Sequence, residues 1–366
     1  MSNEKALIAM SGGVDSAVSA YLMRKQGWDC IGVLMRLFDN QILPENMDSS
    51  CCSLDNVEDA RSVARRLDFP FYVFNFTADF EEKVIRKFIH CYECGATPNP
   101  CIECNRHLKF HQLMRRAEEL GCSCVVTGHY ARIRRDEDTG RYLLYRAADL
   151  SKDQSYVLYS LTQYQLAHTR FPLGEMTKTE TRTIAEEQGF INARKRDSQD
   201  ICFVPDGDYV AFMERYTGKT YPQGDFLDLD GKVVGKHKGA VSYTLGQRKG
   251  LGLAMGEPVY VCDKDMEKNT VTVGPNEALF STGLLAEDWN WFPFETLTEP
   301  LRIFAKARYN QPPQPATVYP EADGKARVVF DAPQRALTPG QAVVLYDGDL
   351  VVGGGTITTV FKKGEA

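Results

Sequence analysis

A chain of 366 residues is too long for one typical domain, so two or three domains are expected. Its composition, 43% hydrophobic and 25% charged, is ordinary for a soluble protein. The sequence has no apolar run long enough to span a bilayer and no signal-peptide core after Met1, so a cytoplasmic location is expected. The net charge of −6 neither indicates nor excludes a nucleic-acid partner, because a basic face can lie on an acidic protein.

The first predicted element is an apolar strand over residues 6–10, followed by the loop Ser11–Ser16 (SGGVDS) and a helix over residues 14–25. A strand, a glycine turn and a helix N-terminus together form an anion site. The glycines let the backbone approach closely, and unpaired N–H groups point at the ligand. The alternative is a tight turn between strand and helix that binds no ligand. Packing alone would not require an aspartate and two serines in such a turn, so the loop predicts a phosphate site.

Strands and helices alternate over the next part of the chain. Apolar patterns predict strands at residues 30–38, 70–76 and 122–128, and helices at residues 54–67, 78–88 and 108–120. This alternation predicts an α/β fold, a doubly wound parallel sheet that binds ligands at the carboxyl ends of its strands. Residues 11–16, Met35 and Gly128 fall at such ends and are expected to meet at one nucleotide, although Met35 also fits plain strand core.

The remaining elements predict three domains. A β-hairpin over residues 131–147 and helices over residues 155–166 and 179–188 complete a catalytic domain of residues 1–208. Glycines and short β-rich runs predict a small β-rich middle domain of residues 209–280, with a basic cluster. Strand-like runs separated by glycine and proline turns predict a C-terminal β-barrel of residues 281–366. The basic cluster consists of Lys236, Lys238, Arg248 and Lys249.

Eleven cysteines are a high count for a reducing compartment, where they should be buried, catalytic or metal-bound rather than paired in structural disulfides. The segments around Cys101 and Cys104 and around Cys202 are the notable ones. Cys91 and Cys94 precede the first of them and formally complete a four-cysteine zinc pattern, but with a spacing shorter than usual. Buried side chains are the preferred interpretation of that pair. Small core hydrophobes are the preferred interpretation of Cys30, Cys51, Cys52, Cys122, Cys124 and Cys262.

Several segments together resemble one family, the tRNA-specific 2-thiouridylases (MnmA/TrmU) of the PP-loop ATP pyrophosphatase superfamily. The loop Ser11–Ser16 is similar to the pyrophosphate-binding loop of that superfamily, whose enzymes cleave ATP between its α and β phosphates. The matching segments occur in the family's order over almost the whole chain. They are SGGVDS (11–16), CCSL (51–54), TPNP (97–100), CN (104–105), TGHY (127–130), KDQSY (152–156), FPLG (171–174), DSQDICF (197–203), YT (243–244), GQR (246–248) and ARY (307–309).

The resemblance implies ATP-dependent 2-thiolation of the wobble uridine of tRNA. ATP, with Mg²⁺, would adenylate the 2-oxo oxygen, Cys202 would receive sulfur as a persulfide, and Cys104 would act on it and leave a Cys104–Cys202 disulfide. The implied partners are tRNA and a sulfur donor, either a cysteine desulfurase or a sulfur-relay protein, and the default state is a monomer without a membrane partner.

The resemblance also assigns binding positions. For ATP they are Ala9, Met10, Ser11, Gly12, Gly13, Val14, Asp15, Ser16, Met35 and Gly128. For the target base, which must leave its stack, they are Asn99, Pro100 and Cys101. For the rest of the tRNA they are His129, Lys152, Asp153, Gln154, Arg308, Tyr309 and Gln341. The resemblance also implies that the middle domain, residues 209–280, binds tRNA.

One departure from the family pattern concerns the sulfur chemistry. Many members carry an aspartate where this chain has Cys101, and that carboxylate is the expected acid–base group. Related enzymes hold a [4Fe–4S] cluster on three cysteines with one open iron position, and Cys101, Cys104 and Cys202 could form such a trio. The persulfide–disulfide route and the cluster route both stay open, and on the first route no residue is identified to replace the aspartate.

Two alternative functions are kept. Another PP-loop ATP pyrophosphatase, of the synthetase or amidotransferase type, predicts no role for Cys202 and no tRNA substrate. A non-catalytic RNA-binding protein predicts that Cys104→Ser and Cys202→Ser variants keep their full biological effect. We also expect the segment around Cys202 to be mobile and to become ordered on tRNA binding.

Overall fold

The computed structural model of the chain describes residues 4–39, 54–195 and 201–362. The chain divides into two compact units, each discontinuous in sequence. The first unit consists of Met1–Ile85, Pro100–Asp208 and Gly348–Val352. The second consists of Arg86–Asn99, Tyr209–Asp347 and Gly353–Ala366.

The α-helices of the described residues, in chain order, are α1 (Val14–Lys25), α2 (Leu54–Arg66), α3 (Thr77–Phe80), α4 (Arg86–Glu93), α5 (Pro100–Glu103), α6 (Leu113–Glu119), α7 (Gln163–Ala167), α8 (Lys178–Glu187) and α9 (Tyr209–Thr217). Two π-helical stretches, Glu81–Ile85 and Cys104–Gln112, follow α3 and α5.

The strands, in chain order, are β1 (Lys5–Ala9), β2 (Asp29–Arg36), β3 (Phe71–Asn75), β4 (Cys124–Val126), β5 (Ala131–Arg135), β6 (Tyr142–Arg146), β7 (Thr169–Arg170), β8 (Gly224–Leu227), β9 (Val233–His237), β10 (Tyr260–Asp265), β11 (Thr270–Gly274), β12 (Phe280–Trp291), β13 (Leu301–Lys306), β14 (Gln314–Pro320), β15 (Ala326–Arg335), β16 (Ala342–Asp347) and β17 (Leu350–Phe361).

The first unit is built on a parallel sheet with the strand order β3-β2-β1-β4-β7. Strand β1 has β2 on one side and β4 on the other, so the connections leaving their carboxyl ends diverge next to β1. Crevices of this kind are where open parallel sheets bind ligands. The predicted α/β sheet is therefore confirmed, and the loop after β1 lies at its topological switch point.

Helices α1 and α2 pack their apolar stripes against this sheet. The spacing of Val14, Ala17 and Val18 places them on one buried face of α1. Ala60 and Val63 lie on the buried face of α2. Burying each of the valine side chains contributes about 1.5–3 kcal/mol. The shared core therefore fixes the N-terminus of α1 relative to the strand that precedes it.

The predicted hairpin of the first unit is also confirmed. Strands β5 and β6 pair antiparallel, and the turn between them is closed by Asp136, whose backbone carbonyl accepts from Gly140 N at 2.8 Å. Strand β6 pairs on its other edge with Leu350 and Val351 at the start of β17. Arg132 Nη2 donates to Asp349 Oδ2 at 2.8 Å beside this pairing.

The second unit contains two β structures. A four-stranded sheet with the order β10-β11-β8-β9 surrounds a small core that includes Phe226, Tyr243 and Val261. The strands β12-β15-β14-β13-β16-β17 form a closed barrel, because β17 also pairs with β12 from Gly283↔Phe361 to Trp291↔Gly353. The predicted β-rich middle region and C-terminal barrel are therefore confirmed.

Three helical regions differ from those expected. Helix α5 begins at Pro100, where a loop was expected, because a proline in the first helical turn loses no intrahelical hydrogen bond. Helix α9 was not predicted; its β-branched and aromatic residues favour strands, and burial of Phe212 and Met213 overrides that preference. The helix expected over residues 155–166 is a 3₁₀ turn, Ser155–Leu158, followed by α7.

Within the described part of the chain, no helix combines the length and the apolarity needed to cross a bilayer.

Candidate active site

The loop Ser11–Ser16 is held by its own hydroxyl groups. Ser11 N donates to Ser16 Oγ at 3.2 Å, and Ser16 Oγ donates to the carbonyl of Gly13 at 3.0 Å. Gly13 N donates weakly to Ser11 Oγ at 3.4 Å. The N-cap of α1 is Gly13 and makes no side-chain capping bond, so the first amides of the helix are not capped by a side chain. This is the arrangement that binds an anion at a helix N-terminus.

Gly12 is required by the backbone of this loop. Its φ is +73°, and a Cβ placed on it would lie 2.6 Å from the carbonyl oxygen of Asn56. The carbonyl of Gly12 accepts from Asn192 Nδ2 at 3.0 Å. Lys195 Nζ donates to Asn56 Oδ1 at 2.6 Å and to Asp59 Oδ2 at 2.7 Å, so α2 and residues 192–195 are tied together behind the loop.

Asp15 is the centre of a second set of contacts. Its Oδ1 accepts from Lys178 Nζ at 2.7 Å and from the hydroxyl of Tyr130 at 2.9 Å. The Tyr130 hydroxyl lies 3.0 Å from Thr181 Oγ1. Lys178 is the first residue of α8 and only 9% exposed, which places a nearly buried ammonium group beside the N-terminus of α1.

Gly128 and Met35 lie at the same edge of the sheet. A Cβ on Gly128 would lie 2.9 Å from both Asp15 Cβ and Ser16 N, so the chain after β4 touches the start of α1. Met35 lies near the end of β2, two residues beyond Val33, whose carbonyl accepts from Met10 N at 2.8 Å. The structure therefore places Gly128 against the start of α1, and Met35 on a neighbouring strand at the same edge; their meeting at one nucleotide stays a prediction.

The contacts of Asp15 with Lys178 and Tyr130 can be tested by substitution. We expect Lys178→Met to weaken ATP-dependent adenylation by about 10- to 100-fold, because a hydrogen bond to a charged group is worth about 1.5–3 kcal/mol. Tyr130→Phe removes one neutral donor and should cost about tenfold or less. Lys178→Arg, which keeps the positive charge, is the matched control. Equal rates of AMP formation in wild type and Lys178→Met would contradict this role.

Cys101 and Cys104 lie on a helical run rather than in a loop. Cys101 is on α5 and is exposed, whereas Cys104 opens the π-helical stretch and is buried. The neighbouring Asn105 anchors this stretch, since its Nδ2 donates to the carbonyl of Val157 at 2.9 Å.

Cys202 is half-buried and belongs to the same unit as Cys104. Its neighbour Phe203 is fully buried and packs edge-on against Phe80 with ring centroids 5.6 Å apart. Neither Cys104 nor Cys202 is in a disulfide. The expected ordering of this segment on tRNA binding concerns mainly residues 197–200, which lie outside the described residues.

The described cysteines do not form a metal site in this structure. Among residues 4–39, 54–195 and 201–362, no three His, Cys, Asp or Glu side chains are arranged to hold a metal ion. Cys101, Cys104 and Cys202 are all in these ranges, so the trio needed for an iron–sulfur cluster is not gathered. The same holds for the four-cysteine zinc pattern that would include Cys91 and Cys94. The preferred interpretation of this pair as buried side chains is wrong for Cys94, which is exposed, while Cys91 is half-buried.

Most of the other cysteines behave as small core residues. Burial raises the pKa of Cys30 to about 12 and that of Cys124 to about 11, and it also raises the pKa of Cys122. Cys262 is half-buried, and burial raises its pKa as well. Cys51 and Cys52 lie outside the described residues.

These pKa values predict the order of alkylation. At pH 8 the thiolate fraction of Cys30 would be on the order of 10⁻⁴, and that of Cys124 on the order of 10⁻³, so both should resist iodoacetamide in the folded protein. Cys94, which is exposed, should react faster than either of them. Peptide mass spectrometry after a timed exposure measures this order. Labelling of Cys30 as fast as that of Cys94 would contradict the buried position.

Three residues expected to contact tRNA have side chains turned into the first unit. His129 is buried between Phe110 and Phe171, and burial lowers its pKa well below the usual value, so the ring is neutral. Asp153 is buried and accepts from Ser155 Oγ at 2.9 Å. Gln154 Oε1 accepts from the backbone N–H of Tyr130 at 3.0 Å. Lys152 beside them is half-buried.

The predicted tRNA residues of the second unit also make internal contacts. Gln341 Nε2 donates to the carbonyl of Thr97 at 2.8 Å, and Thr97 N donates to the carbonyl of Pro339 at 3.0 Å. These bonds hold the backbone that leads to Asn99. Arg308 Nη2 donates to the carbonyl of Ala336 at 2.5 Å, whereas Tyr309 is 38% exposed.

The sequence analysis missed several residues of the loop site. Lys178 could have been noticed, because a lysine in the first turn of a helix opposes the helix dipole and therefore suggests a separate partner. Asn56 could have been noticed as the one polar residue in the buried stripe of α2. Asn192 carries no pattern that separates it from other loop residues.

The chain is similar to known proteins over almost its whole length. Family models match residues 4–206 (tRNA methyl transferase HUP domain), 210–275 (tRNA methyl transferase PRC-barrel domain) and 281–357 (Aminomethyltransferase beta-barrel domain). The chain is 50% identical over 355 residues to a tRNA-specific 2-thiouridylase MnmA of Clostridioides difficile, covering 97% of this chain and 98% of that protein. It is 51% identical over 358 residues to a protein of the same name from Symbiobacterium thermophilum, covering 97% and 92%.

Among solved structures, a 4-thiouridine synthetase in complex with RNA and ATP covers 55% of this chain and 45% of its own, with a TM-score of 0.39 and 21% identity. That likeness is too distant to carry an argument. The full-length relatives are named for thiolation, whereas the family models are described with methyltransferase names.

Proposed function

Because the chain belongs to the tRNA-specific 2-thiouridylase family, we propose that it replaces the 2-oxo oxygen of the wobble uridine of tRNA with sulfur, at the expense of ATP. The observation that carries this proposal is the loop Ser11–Ser16, which presents an uncapped helix N-terminus at the switch point of a parallel sheet. The same unit contains Cys104 and Cys202, the thiols that the sulfur step needs.

In the first step the loop binds the phosphates of ATP. The amides at the start of α1, together with Ser11 and Ser16 hydroxyls, would hold the departing pyrophosphate, which gains charge as the bond to the α-phosphate breaks. The uridine 2-oxo oxygen attacks the α-phosphorus, giving an O-adenylated uridine and free pyrophosphate. Met35 and Gly128 would contact the adenosine, since they line the same edge of the sheet.

Asp15 fits the role of a Mg²⁺ ligand. A carboxylate oxygen is the hard donor that Mg²⁺ prefers, and this ion is usually held by one or two carboxylates together with substrate phosphates rather than by a protein cage. When bound, the ion would neutralise phosphate charge. Lys178, 2.7 Å from Asp15 Oδ1, orients that carboxylate and places a second positive charge beside the pyrophosphate position.

In the second step the thiols deliver sulfur. The outer sulfur of a Cys202 persulfide attacks C2 of the adenylated uridine and displaces AMP. The Cys104 thiolate then attacks the inner sulfur of Cys202, breaking the persulfide bond and releasing 2-thiouridine. The two thiols supply two electrons and end as a Cys104–Cys202 disulfide, which a thiol reductant must reduce before the next cycle.

We prefer this route to one that uses an iron–sulfur cluster. The three cysteines required as cluster ligands are not gathered in the described structure, so no step is assigned to a cluster. Anaerobic purification with an iron count and an absorption spectrum tests the choice. A colourless, iron-free and active enzyme is expected; an enzyme whose activity follows its iron content would overturn the persulfide route.

The internal contacts of the predicted tRNA residues divide them into two groups. Lys152, which is half-buried, and Tyr309, which is 38% exposed, are proposed to touch tRNA directly. His129, Asp153, Gln154 and Gln341 are proposed to act through the backbone they hold, because each side chain is bonded within the protein. Asn99, Pro100 and Cys101 are proposed to lie against the extruded base, since Gln341 fixes the segment that precedes them.

The proposal implies two partners, a tRNA with a wobble uridine and a protein that transfers persulfide sulfur, either a cysteine desulfurase or a sulfur-relay protein. The substrate places the enzyme in the cytoplasm, and a monomer suffices because both thiols and the ATP loop come from one chain.

Mass spectrometry of tRNA nucleosides from a strain lacking this protein tests the function in the cell. Loss of wobble 2-thiouridine, restored by wild type but not by Cys202→Ser, is the expected result. Unchanged 2-thiouridine in the deletion strain would favour another PP-loop ATP pyrophosphatase. Restoration by Cys104→Ser and Cys202→Ser variants would favour a non-catalytic RNA-binding protein.

A further inference from the structure

Asn192 is a buried polar residue to which the proposed mechanism gives no role. It is 2% exposed, and its Nδ2 donates to the carbonyl of Gly12 at 3.0 Å. Only the nitrogen of an amide can donate, so this contact defines which way the side chain is turned. Within residues 4–39, 54–195 and 201–362, Asn192 Oδ1 has no hydrogen-bond partner. In the described part of the chain, the bond to Gly12 is therefore what orients this amide.

The hydrogen bond from Asn192 also fixes the direction of the next backbone amide. The peptide between Gly12 and Gly13 is trans, so its C=O and its N–H point in opposite directions in one plane. Because the carbonyl is turned toward Asn192, the Gly13 N–H points away from it, toward Ser11 Oγ at 3.4 Å. A hydrogen bond this long is weak, so a phosphate oxygen can replace the serine as the acceptor.

This peptide needs a restraint because it joins two glycines. Gly12 has a φ of +73°, and Gly13 has a φ of −90°. With no Cβ on either side, the peptide plane can rotate between its two Cα atoms with little steric resistance. Half a turn would bring the carbonyl oxygen of Gly12 to the anion side of the loop and take the Gly13 N–H away from it. Asn192 opposes this rotation because its Nδ2 can reach the carbonyl in only one of the two orientations.

Asn192 can restrain the loop because its own backbone is fixed. Lys195 N donates to the carbonyl of Asn192 at 3.0 Å and closes a turn. Ala193 in this turn is 7% exposed and packs in the core that also contains Val14 of α1. Lys195 Nζ ties the turn to α2 by donating to Asn56 Oδ1 at 2.6 Å. The donor of Asn192 is therefore held in place from the side of the loop that faces the protein core.

We propose that Asn192 is a positioning residue for ATP binding, which holds the peptide between Gly12 and Gly13 so that the Gly13 N–H faces the phosphates. The inference rests on the function proposed above and deepens it, because it names the group that orients one of the phosphate donors. Asn192 lies ten residues before Cys202 in the sequence. A residue close in sequence to the sulfur carrier thus serves the ATP step and not the sulfur step.

The test compares two replacements of Asn192 by titration calorimetry with ATP, each relative to wild type at the same pH. Asn192→Ala removes the donor and frees the peptide, so the affinity should fall by about tenfold. Asn192→Asp keeps the shape but, when ionised, sets an oxygen against the Gly12 carbonyl, and the affinity should fall by about 100-fold at pH 8. A protonated carboxyl can donate as the amide does, and burial favours protonation. The aspartate variant should therefore regain affinity between pH 8 and pH 6, whereas the alanine variant should not.

A kinetic measurement separates positioning from general damage. Asn192 changes the fraction of loops that are ready to bind, so Asn192→Ala should raise the KM for ATP in tRNA-dependent AMP formation by about tenfold and keep kcat within about threefold of wild type. The matched control is Asn269→Asp in the second unit, where Asn269 Nδ2 donates to the carbonyl of Pro222 at 3.0 Å. Asn269 has a φ of +51°, which aspartate tolerates. This control should bind ATP like wild type at every pH.

The outcomes distinguish this inference from the proposed function. If wild type and both Asn192 variants bind ATP equally well, Asn192 does not position the loop and the proposed function stands. A loss of affinity in Asn192→Asp that does not recover at pH 6, or a lower kcat with an unchanged KM for ATP, would also overturn the positioning role. If Asn192→Ala does not fold, the comparison of Asn192→Asp at the two pH values decides. If wild type does not bind ATP, both proposals fail.

Discussion

Cys202→Ser is expected to lower 2-thiouridine formation by a factor on the order of 10³ or more, because the oxygen of serine cannot carry a persulfide. In the proposed mechanism adenylation takes place at the Ser11–Ser16 loop, which does not include Cys202. The rate of tRNA-dependent pyrophosphate release in a single turnover should therefore stay within about threefold of wild type. The two rates are measured on the same sample, by pyrophosphate detection and by nucleoside mass spectrometry.

A matched control uses another half-buried cysteine. Cys262→Ser changes a thiol of the second unit whose Sγ donates to the carbonyl of Tyr260 at 3.3 Å, and thiolation should remain near wild type. If Cys202→Ser forms 2-thiouridine as fast as Cys262→Ser, the assignment of Cys202 as the sulfur carrier is wrong. If both half-reactions fail together, Cys202 supports the fold or the ATP site instead of carrying sulfur.

Gly12→Ala should be the most damaging change in the loop that we propose binds ATP. A left-handed backbone conformation costs an alanine about 1 kcal/mol, and the new Cβ would lie 2.6 Å from the Asn56 carbonyl oxygen, which adds about 1–3 kcal/mol of overpacking. The loop would have to move away from α2 to remove this close contact. We expect ATP affinity to fall by about 100-fold, as measured by titration calorimetry, and adenylation to be lost at ordinary ATP concentrations.

Gly13→Ala is the control for this change. Gly13 has a φ of −90°, which alanine adopts freely, and a Cβ would meet only Ser11 Oγ, at 3.3 Å. Its cost should be about 1 kcal/mol, mostly from the N-cap position. Equal ATP affinities of the two variants would show that the contact with Asn56 does not constrain the loop.

The order of the elements could be predicted from the sequence because local patterns determine it. Residues 14–25 combine helical spacing with a preceding glycine turn, and the structure has α1 at those residues. The hairpin turning at residues 136–140 and the β-rich C-terminal part follow from equally local signals. Helix α9 could not be predicted, since packing of Phe212 and Met213 decides its conformation.

The contacts of the site could be predicted only in part. The loop, Met35 and Gly128 were expected to meet because the carboxyl ends of parallel strands share one edge. The contact of Lys178 with Asp15 joins residues far apart in the sequence, and no local pattern specifies such a pair. The burial of the His129 and Asp153 side chains could not be predicted either. A segment can match a family motif while its polar atoms form hydrogen bonds inside the protein.

The central claim is that one chain couples ATP cleavage between the α and β phosphates to sulfur insertion at the wobble uridine. The direct measurement is the stoichiometry of products when purified protein, ATP, Mg²⁺, unmodified tRNA and a persulfide donor are mixed. We predict one AMP and one pyrophosphate for each 2-thiouridine formed, with no product in the absence of ATP. Formation of ADP and phosphate, or AMP formation with no sulfur in the tRNA, would contradict the account.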